Sequence, residues 1–581
     1  MAARLNNGQV AAFFDTIADL MQLQEENSFK IRAYRRAAET IRALPHDINT
    51  DYEEGTLREI PGIGDAIAAK ISEIIETGRL GFLERLEGQI PAGVAAMMRV
   101  PEIGPKSARA IYKTLGIESL EALEAAARAG ELRGVPGIGA KTEQRILEGI
   151  EALRRRSDRL LMGIVLPRAE ALLLNLQDAV GDHLVRADLA GSLRRAKATT
   201  GNLDLLVAAE PGNVASILQT FQGLPQVGQV LDAGAWYSSV RLHSGEQADL
   251  RVVNPSRWGL ALFQFTGSPA HNARVGELAG EAGLSLQVDD WLSDARGDAA
   301  FETETALYGR LGLPWIPPEL REGAGEVEAA RDDELPDLVE LDDLFGDLHM
   351  HTSWSDGKAS VLEMAQAARE FGYEYIVITD HSQSLGIANG LSPERIIEQR
   401  YEIINANAKF NDFAILQGAE VEIKQDGSLD YPDDLLAKLD VVVASMHTGI
   451  RGDRETLTQR MLNAIRNPHV DVIGHMTNRL LGRREGADLD MDAVLRAAAE
   501  HGTILEINSQ VDRLDLDPTH ARLALEYGCL LSVDSDAHNT DGLDVIRYGI
   551  SQARRAWAEL EDVINTRPLE EFLSYIKQRN E

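Results

Sequence analysis

Hydrophobic residues recur at helical spacing over the first 155 residues of the chain. In the opening segment they include Val10, Phe14, Ile17 and Met21, which lie on one face of a helix. Three turn motifs interrupt this pattern, and each precedes another helical segment. The motifs are Ile60-Pro-Gly62-Ile-Gly64, Val100-Pro-Glu102-Ile-Gly104 and Val135-Pro-Gly137-Ile-Gly139. The pattern therefore predicts an all-helical N-terminal region that contains a recurring turn.

Between residues 156 and 318 the pattern changes to short runs of residues that favour β-strands. The runs that predict strands are 184–189, 203–207, 238–242 and 248–253. Helical periods at 168–180 and 271–283 lie between these runs or after them. This arrangement predicts an α+β domain with a partly antiparallel sheet.

From residue 346 to the end, short apolar strands alternate with amphipathic helices. The predicted strands are Tyr375–Thr379, Ala414–Leu416, Val441–Ser445, Val472–Gly474, Thr503–Ile507 and Leu530–Val533. Repeated alternation of this kind is typical of a parallel barrel or of a doubly wound sheet.

Composition restricts the class of protein. A length of 581 residues is too great for one hydrophobic core and indicates several domains. The single cysteine, Cys529, excludes a disulfide framework and fits a reducing compartment. No signal pattern begins the chain, and no apolar stretch approaches the ~20 residues of a membrane span. We therefore expect a soluble, cytoplasmic protein with no membrane partner.

The formal net charge of −34 opposes general binding to nucleic acid, because an acidic surface repels phosphate groups. Any nucleic-acid site must therefore be a local basic patch. The stretch 319–343 holds eleven acidic residues against only Arg321 and Arg331, and it lacks a clear apolar period. Such a composition favours a solvated acidic linker, which we place at 319–345.

The glycine turns are candidates for contact with DNA. A turn at a helix N-terminus presents backbone N–H groups to a phosphate, and glycine lets the backbone approach closely. One such turn would be an ordinary connection between helices, but three copies favour sequence-independent binding of the DNA backbone. Glu102 replaces the first glycine of the second copy, and the first copy has Ala66 where the others have lysine. The expected DNA-binding residues are Gly62, Gly64, Gly104, Lys106, Gly137, Gly139 and Lys141.

Histidines and carboxylates form short clusters in the last third of the chain. The clusters are Asp347-Leu-His349-Met-His351, Asp356, Asp380-His381, Glu420, His447, His475 and Asp536-Ala-His538. Imidazole and carboxylate together are ligands of metal ions that activate water. Although a single histidine is more often a core or surface residue, this grouping predicts a metal-dependent hydrolase.

An ordered set of motifs follows the glycine turns and carries a family resemblance. The motifs are Gly191-Ser192-Leu-Arg194-Arg195, Gly201-Asn202-Leu-Asp204, Ala248-Asp249-Leu-Arg251 and Phe265-Thr-Gly267-Ser268. Their order and spacing resemble the X-family DNA polymerases over residues 1–318. The resemblance implies a DNA-end-binding domain at 1–90, a second helical DNA-binding subdomain at 91–155, a palm at 156–260 and a nucleotide-selecting thumb at 261–318.

Asn202, Asp204 and Asp249 match the catalytic metal positions of that family. Positions 202 and 204 share one face of a strand, so they can hold the two Mg²⁺ or Mn²⁺ ions that nucleotidyl transfer needs. The family has aspartate where this chain has Asn202, so the site loses one charge. At ~4 Å and an effective dielectric of ~20, a charge pair is worth about 4 kcal/mol, or roughly a thousandfold. We therefore predict a polymerase that is weak, inactive with Mg²⁺ or dependent on Mn²⁺.

The same resemblance assigns the nucleotide site. Gly191, Ser192 and Arg195 resemble the family's triphosphate-binding element, which combines a close backbone approach, a hydroxyl donor and a cation. The positions that match contacts to the incoming dNTP are Phe265, Gly267 and Asn272.

Residues 29–35 and Lys70 resemble the family's small DNA-end-binding domain. In some members a lysine at the Lys70 position forms a Schiff base with an abasic sugar. A solvated or phosphate-facing lysine explains Lys70 equally well, so a lyase role and a structural role both stay open.

The histidine clusters resemble the polymerase-and-histidinol-phosphatase (PHP) domain over about residues 346–575. Nine positions match that family's metal ligands: His349, His351, Asp356, His381, Glu420, His447, His475, Asp536 and His538. The resemblance implies a distorted parallel β/α barrel with a trinuclear cluster of Mn²⁺ or Zn²⁺ and a bridging Glu420. Beyond these nine positions, Glu422, Asp380 and Asp534 are candidates to orient the ligands. Arg479 is either a phosphate ligand or a solvated arginine.

By position, His349, His351, Glu420 and Asp536 would hold one ion. The second ion would lie between Glu420, His447 and His475, and the third between Asp356, His381 and His538. The resemblance leaves His469, His501 and His520 without a role, and we expect them on the surface.

The whole chain thus resembles a bacterial X-family polymerase fused to a PHP domain. We expect a monomeric, nucleoid-associated enzyme of DNA repair, including base excision repair, that acts on gapped, nicked or single-stranded DNA. The PHP domain would be a Mn²⁺-dependent 3′–5′ exonuclease, with abasic-site cleavage and 3′-end cleaning as related activities. Two alternatives stay open: a catalytically dead palm that only binds DNA for the nuclease, and a PHP domain that hydrolyses a small phosphomonoester.

Overall fold

The structure, a computed structural model, describes residues 5, 7–24, 26–44, 47–98, 100, 103–156, 159–288, 290–294 and 300–580. Two residues of the second glycine turn, Pro101 and Glu102, lie outside the described residues. In the described part, no helix is both long and apolar enough to cross a membrane.

The N-terminal region is helical, as its period predicts. Its helices are α1 (Asn7–Leu23), α2 (Ser28–Ala43), α3 (Ile48–Glu54), α4 (Asp65–Thr77), α5 (Gly81–Glu87), α6 (Ala92–Met97), α7 (Pro105–Leu115), α8 (Leu120–Ala129) and α9 (Ala140–Arg156). They bury one continuous core that includes Phe14, Ile17 and Ile71. The region thus has a core of its own, as an independent domain needs.

The next part is a mixed sheet flanked by helices. Its elements are β1 (Leu160–Leu161), α10 (Met162–Val180), β2 (Arg186–Leu189), α11 (Gly191–Arg194), β3 (Thr199–Thr200), β4 (Leu203–Ala208), α12 (Val214–Gln222), β5 (Val227–Ala233), β6 (Tyr237–Leu242) and β7 (Gln247–Val253). Five strands pair in the order β2-β4-β7-β6-β5, and only β4 and β7 run parallel. This parallel pair matters for the site, because it aligns the strands that carry the candidate carboxylates.

Helices α13 (Trp258–Thr266), α14 (Pro269–Glu281) and α15 (Glu304–Arg310) follow the sheet and correspond to the expected thumb. The segment after them differs from its prediction as a solvated linker. It contains α16 (Glu326–Asp332), and both Arg321 and Glu326 are fully buried. The Arg321 guanidinium pairs with Glu304, and Glu326 contacts the ring of His271 at 2.6 Å. The linker interpretation is wrong because these charges are neutralised by thumb residues instead of by water.

The C-terminal part is a parallel barrel. Its elements are β8 (Gly346–Met350), α17 (Val361–Phe371), β9 (Tyr375–Ile378), α18 (Pro393–Asn407), β10 (Ala414–Glu422), α19 (Asp433–Leu436), β11 (Val441–Ser445), α20 (Arg454–Ile465), β12 (Val472–Ile473), α21 (Met491–His501), β13 (Ile504–Asn508), α22 (Pro518–Glu526), β14 (Leu531–Asp534), α23 (Ile546–Arg555) and α24 (Leu569–Asn580). The seven strands lie in sequence order and all pair in parallel.

The first and last barrel strands also approach each other. Met350 forms a parallel bridge with Ala537, and the Leu348 N–H donates to Asp534 Oδ1 at 2.8 Å. The barrel is therefore nearly closed, which decides between the barrel and the doubly wound sheet. Residues of β9 pack alternately into two cores, with Ile376 on one face and Val377 on the other. The predicted fold class, from the helical N-terminus to the C-terminal barrel, is confirmed.

Candidate active sites

The nine histidine and carboxylate positions meet at the carboxyl end of the barrel. In a parallel barrel, residues at the ends of the strands gather on one face, where sites are built. Four groups of side chains have ligand atoms within 4.8 Å of one another. The groups are His351, Asp356, His381 and His538; His349, His351 and Asp536; His349, Glu420 and His475; and His381, Glu420 and His447.

Glu420 lies at the centre of this arrangement. Its Oε1 is 2.9 Å from His475 Nε2 and 3.2 Å from His447 Nε2. Its Oε2 is 2.7 Å from His381 Nδ1 and 3.5 Å from His349 Nε2. The two oxygens thus face different histidines, as a carboxylate that bridges two ions must.

Asp536 and Asp356 complete the cluster on its other side. Asp536 Oδ1 is 3.1 Å from His351 Nε2 and 3.7 Å from His538 Nδ1. Asp356 Oδ1 is 3.5 Å from His538 Nε2 and 3.6 Å from His381 Nε2. His351 faces both the Asp536 group and the Asp356 group, although the sequence placed it in only one.

Several buried ligand atoms in the cluster have no hydrogen-bond partner. They are His349 Nε2, both ring nitrogens of His351, His381 Nδ1, both carboxylate oxygens of Glu420, and His475 Nδ1. Buried polar atoms are otherwise almost always paired, because an unpaired one costs free energy. Unpaired imidazole nitrogens that converge on unpaired carboxylate oxygens fit divalent metal ions.

Two members of the cluster, His351 and Glu420, are held in the protonation states that bind metals. Burial, together with neighbouring His381 and His538, lowers the pKa of His351 to about 3. Burial alone would raise the pKa of Glu420, but His447 and the other histidines hold it well below its usual range. A neutral imidazole and an ionised carboxylate are the forms that bind metals.

Carboxylates outside the cluster orient its ligands. Glu422 accepts a hydrogen bond from His447 Nδ1 at 2.8 Å, and Asp380 accepts from Thr352 and Ser355 in the loop that leads to Asp356. These contacts fit the roles that the sequence suggested. Asp534 instead holds β8 beside β14 through the Leu348 N–H.

Sequence reasoning missed Glu506. Its Oε1 contacts His349 Nδ1 at 2.7 Å, and its Oε2 accepts the backbone N–H of His475. The signal available in the sequence is a charged residue inside the apolar run of β13, where a charge is stable only with partners.

The backbone bends sharply at two ligands. His475 has φ of 24° and Asp536 has φ of 52°, although neither is glycine. Non-glycine residues in the left-handed region cost free energy and cluster at functional sites. Here the bends aim ligands that follow β12 and β14 into the cluster.

Arg479 is not free for a substrate phosphate. Its Nε donates to the carbonyl of Arg513 at 2.9 Å, and its guanidinium also contacts the Leu514 carbonyl and Asp517. The structure instead brings two other arginines to the cluster. Arg484 Nη2 and Arg513 Nη1 both donate to the buried Asn478 Oδ1, at 2.7 and 2.5 Å.

Arg513 adds positive charge beside the metal cluster, and Arg484 shares Asn478 with it. Arg513 Nε is 3.9 Å from Asp536 Oδ2. Two guanidinium groups that share one neutral amide oxygen are donors of the kind that bind an anion such as phosphate. Sequence reasoning missed this pair, because the two residues are far apart in the chain and no spacing connects them.

The three histidines without an expected role differ in exposure. His501 is exposed and His469 is half-buried. His520 is also half-buried, and its Nδ1 contacts Asp517 at 2.6 Å.

The candidate palm carboxylates lie side by side. Asp204 and Asp249 are register partners in the parallel pair β4 and β7. The Asn202 amide nitrogen donates to Asp204 Oδ1 at 3.1 Å and to Asp249 Oδ2 at 2.5 Å. Arg251 Nη1 donates to Asp204 Oδ1 at 2.8 Å. The structure therefore brings the three residues together, but protein N–H donors occupy the carboxylates.

The expected triphosphate element lies directly against these carboxylates. A Cβ atom on Gly191 would lie 2.2 Å from Asp204 Oδ2, and Gly191 has φ of 62°. Only glycine fits there. The Ser192 hydroxyl is 2.6 Å from Thr200 Oγ1, and Arg195 Nη1 donates to the carbonyl of Thr266 at 2.6 Å.

The thumb residues expected at the nucleotide lie nearby. The guanidinium of Arg251 lies 4.9 Å from the ring centroid of Phe265. A Cβ on Gly267 would lie 2.1 Å from Asn272 Oδ1, and that oxygen is buried without a partner. Arg251 contacts both Asp204 and the ring of Phe265, and it therefore connects Phe265 to the palm carboxylates. Gly267 packs on Asn272.

The glycine turns adopt the expected form where they are described. Gly62 and Gly137 have φ of 87°, and Gly64 and Gly104 precede α4 and α7 in extended conformation. A Cβ on Gly64, Gly104, Gly137 or Gly139 would meet nothing within 4 Å. The side chains of Lys106 and Lys141 are exposed. The turns thus present open backbone to a ligand.

Lys70 lies beside two aromatic rings. Its Nζ is 5.2 Å from the ring centroid of Phe82 and 5.8 Å from that of Tyr34. Partial burial lowers the pKa of Lys70, and nearby Glu73 opposes that shift. A lowered pKa increases the share of neutral amine, which is the nucleophilic form.

Comparisons with known families match each part of this architecture. Residues 5–80 match a helix-hairpin-helix domain, and residues 94–152 match a SAM-like helix-hairpin-helix tandem. Residues 261–322 match the DNA polymerase beta thumb, and residues 347–510 match the PHP domain.

Whole-chain similarity agrees with these matches. The DNA polymerase/3′-5′ exonuclease PolX of Bacillus subtilis (strain 168) is 36% identical over 579 residues, which is 99% of this chain and 100% of that protein. A probable phosphatase of Thermoanaerobacter sp. (strain X514) is 30% identical over 247 residues, 40% of this chain and 94% of that protein. A probable phosphatase of Caldanaerobacter subterraneus is 34% identical over 228 residues, 37% of this chain and 82% of that protein.

The fold, the two clusters and these matches define an X-type polymerase scaffold joined to a PHP barrel. The chain belongs to the bacterial PolX family, the X-family DNA polymerases that carry a C-terminal PHP domain.

Proposed function

We propose that the barrel of this chain is a metal-dependent 3′–5′ exonuclease that trims DNA ends during repair. The observation that carries this proposal is Glu420, whose two unpaired oxygens face separate histidines. Divalent ions held there would supply Lewis acidity toward a phosphate ester. The donor set fits three ions of Mn²⁺ or Zn²⁺, and the carboxylate of Asp356 favours Mn²⁺ for one of them.

The surrounding residues suit a DNA phosphate. Arg484 and Arg513 add cationic donors beside the cluster. The same chain also carries the palm carboxylates Asp204 and Asp249 and the glycine turns. Together with the barrel, these features suit a gapped, nicked or single-stranded DNA substrate. We propose that the palm adds dNTPs to such DNA weakly, or only with Mn²⁺.

Loss of a barrel ligand is expected to abolish nuclease activity while loss of a palm carboxylate leaves it intact. The variants are His349→Ala and Asp204→Ala, tested with Mn²⁺ on single-stranded DNA labelled at either end. Release of mononucleotides from the 3′ end by wild type and Asp204→Ala, but not by His349→Ala, is the expected result. Activity that survives in His349→Ala would assign the nuclease elsewhere.

The second candidate function is hydrolysis of a small phosphomonoester. It is favoured by the similarity to two probable phosphatases over 40% and 37% of the chain. Histidinol phosphate serves as the test substrate under the same conditions. If it is cleaved and DNA is untouched, the exonuclease proposal fails.

We also propose that Lys70 forms a Schiff base with an abasic 5′ end. Borohydride in the presence of such DNA is expected to trap a covalent complex with wild type and not with Lys70→Ala. Lys113→Ala is the matched control, since Lys113 is exposed and is not among the expected DNA-binding residues. A complex of undiminished yield in Lys70→Ala would overturn the assignment.

A further inference from the structure

A helix of the barrel holds the expected triphosphate loop of the palm. The loop runs from Gly191 to Lys197, and α23 of the barrel packs against it. Arg555 Nη1 donates to the carbonyl of Arg195 at 2.5 Å, and Gln552 Nε2 donates to the carbonyl of Ala196 at 3.0 Å. The side chain of Gln552 is fully buried, and Arg555 is only 10% exposed. These are solvent-excluded contacts between two domains.

The loop conformation at this contact is strained. Ala196 has φ of 52°, a left-handed conformation that alanine adopts at a cost. One restraint comes from within the loop, because the Ala196 N–H donates to the Leu193 carbonyl at 2.9 Å. The bond from Gln552 adds a second restraint from outside the palm. Strained backbone persists only where surrounding contacts fix it in this way.

Arg555 also shares a counter-ion with the candidate phosphate ligand Arg195. Glu322 Oε1 is 2.9 Å from Arg195 Nε and 3.0 Å from Arg555 Nη1, and Glu322 Oε2 is 3.4 Å from Lys197 Nζ. When the Arg195 side chain leaves Glu322 to bind a triphosphate, Glu322 keeps Arg555 and Lys197 as partners. Arg555 therefore reduces the cost of releasing Arg195 from Glu322.

Helix α23 is itself fixed to the barrel. A Cβ on Gly549 would lie 2.0 Å from Ser509 Oγ and 2.7 Å from Val533 Cγ1. The helix backbone thus lies directly on β14 and on the end of β13. Such a close contact makes the helix a rigid support for the palm loop.

We propose that Gln552 and Arg555 of the barrel are positioning residues for nucleotide binding by the palm. They hold the loop that presents Ser192 and Arg195 to the triphosphate of a dNTP. The barrel is then a structural part of the polymerase site in addition to being a separate catalyst. This inference rests on the proposed nucleotide binding by the palm.

The test compares Arg555→Gln with Arg554→Gln in the full chain. Arg554 is the neighbouring arginine on α23, but it pairs with Glu319 and Glu340 and does not touch the loop. We measure the Kd of the matching dNTP by calorimetry on gapped DNA with a dideoxy-terminated primer and Mn²⁺, with every chain also carrying His349→Ala, so that neither extension nor trimming of the primer takes place. Arg555→Gln is expected to weaken dNTP binding about tenfold, as the loss of a charged hydrogen-bond donor does.

Arg554→Gln should leave the dNTP Kd unchanged, and both variants should keep wild-type nuclease activity in chains that retain His349, which shows that the barrel is folded. Arg555→Lys should restore part of the affinity. Where extension is measurable, Arg555→Gln should raise KM for the dNTP more than it lowers kcat.

Equal weakening by both variants would show a general interface effect and overturn the proposal, as would wild-type affinity in Arg555→Gln. If the wild-type chain binds no dNTP at all, the proposed palm function fails, and this inference fails with it. The two failures are therefore distinguishable.

Discussion

Replacement of Asn202 by aspartate is expected to raise Mg²⁺-dependent gap filling by roughly a thousandfold, the value of one charge pair of about 4 kcal/mol. Asn202 now places an amide N–H between Asp204 and Asp249, where the family has a third carboxylate. An aspartate cannot donate these bonds, so it would remove the amide N–H that competes with cations for Asp204 and Asp249, and it would add a third carboxylate.

The measurement is single-turnover extension of a gapped primer by wild type and Asn202→Asp, with Mg²⁺ and with Mn²⁺. The gain should be larger with Mg²⁺, which demands stricter coordination geometry. Asn202→Asp combined with Asp204→Ala is the control and should be inactive. Robust extension by wild type with Mg²⁺ would contradict the prediction.

The same experiment decides whether the palm is catalytic. Arg251 already donates to Asp204 and lies over Phe265. If Asn202→Asp restores no extension while DNA binding persists, the first half of the chain is a DNA-binding module for the nuclease. If extension appears, the site is intact apart from one charge.

The fold could be predicted from the sequence where the pattern is local. Helical periods, glycine turns and strand runs each depend on neighbouring residues, and the strands predicted around Asp204, Asp249 and His447 all form. Strand β8, which carries His349, was not predicted because its apolar residues alternate with ligands that are themselves buried. Strand β5 was missed because most of its residues are exposed.

The candidate metal positions could be predicted because a parallel barrel gathers the ends of its strands. The partners of those positions could not. Glu506, Arg513 and Gln552 act through contacts with residues far away in the chain, and no period or spacing records such contacts. The prediction of a solvated linker at 319–345 was wrong for the same reason. Arg321 and Glu326 are neutralised by Glu304 and His271 of the thumb, which lie elsewhere in the chain.

Replacement of Glu420 by glutamine is expected to lower nuclease activity by about a thousandfold or more, since one charge beside each of two ions is removed. The substitution is nearly isosteric, so packing in the barrel should change little. The amide has one oxygen in place of two, and its N–H₂ group would face histidines that now face an oxygen. The protein should therefore also bind fewer metal ions.

The measurement combines metal content by mass spectrometry with Mn²⁺-dependent release of nucleotides from single-stranded DNA. Glu422→Gln is the matched control, because Glu422 contacts His447 but is not among the ligand groups. Loss of such an orienting carboxylate should cost only about 10–100-fold. Binding of gapped DNA should be unchanged in both variants. Equal losses in the two variants would mean that Glu420 only orients its neighbours, and the bridging role of its two oxygens would then be wrong.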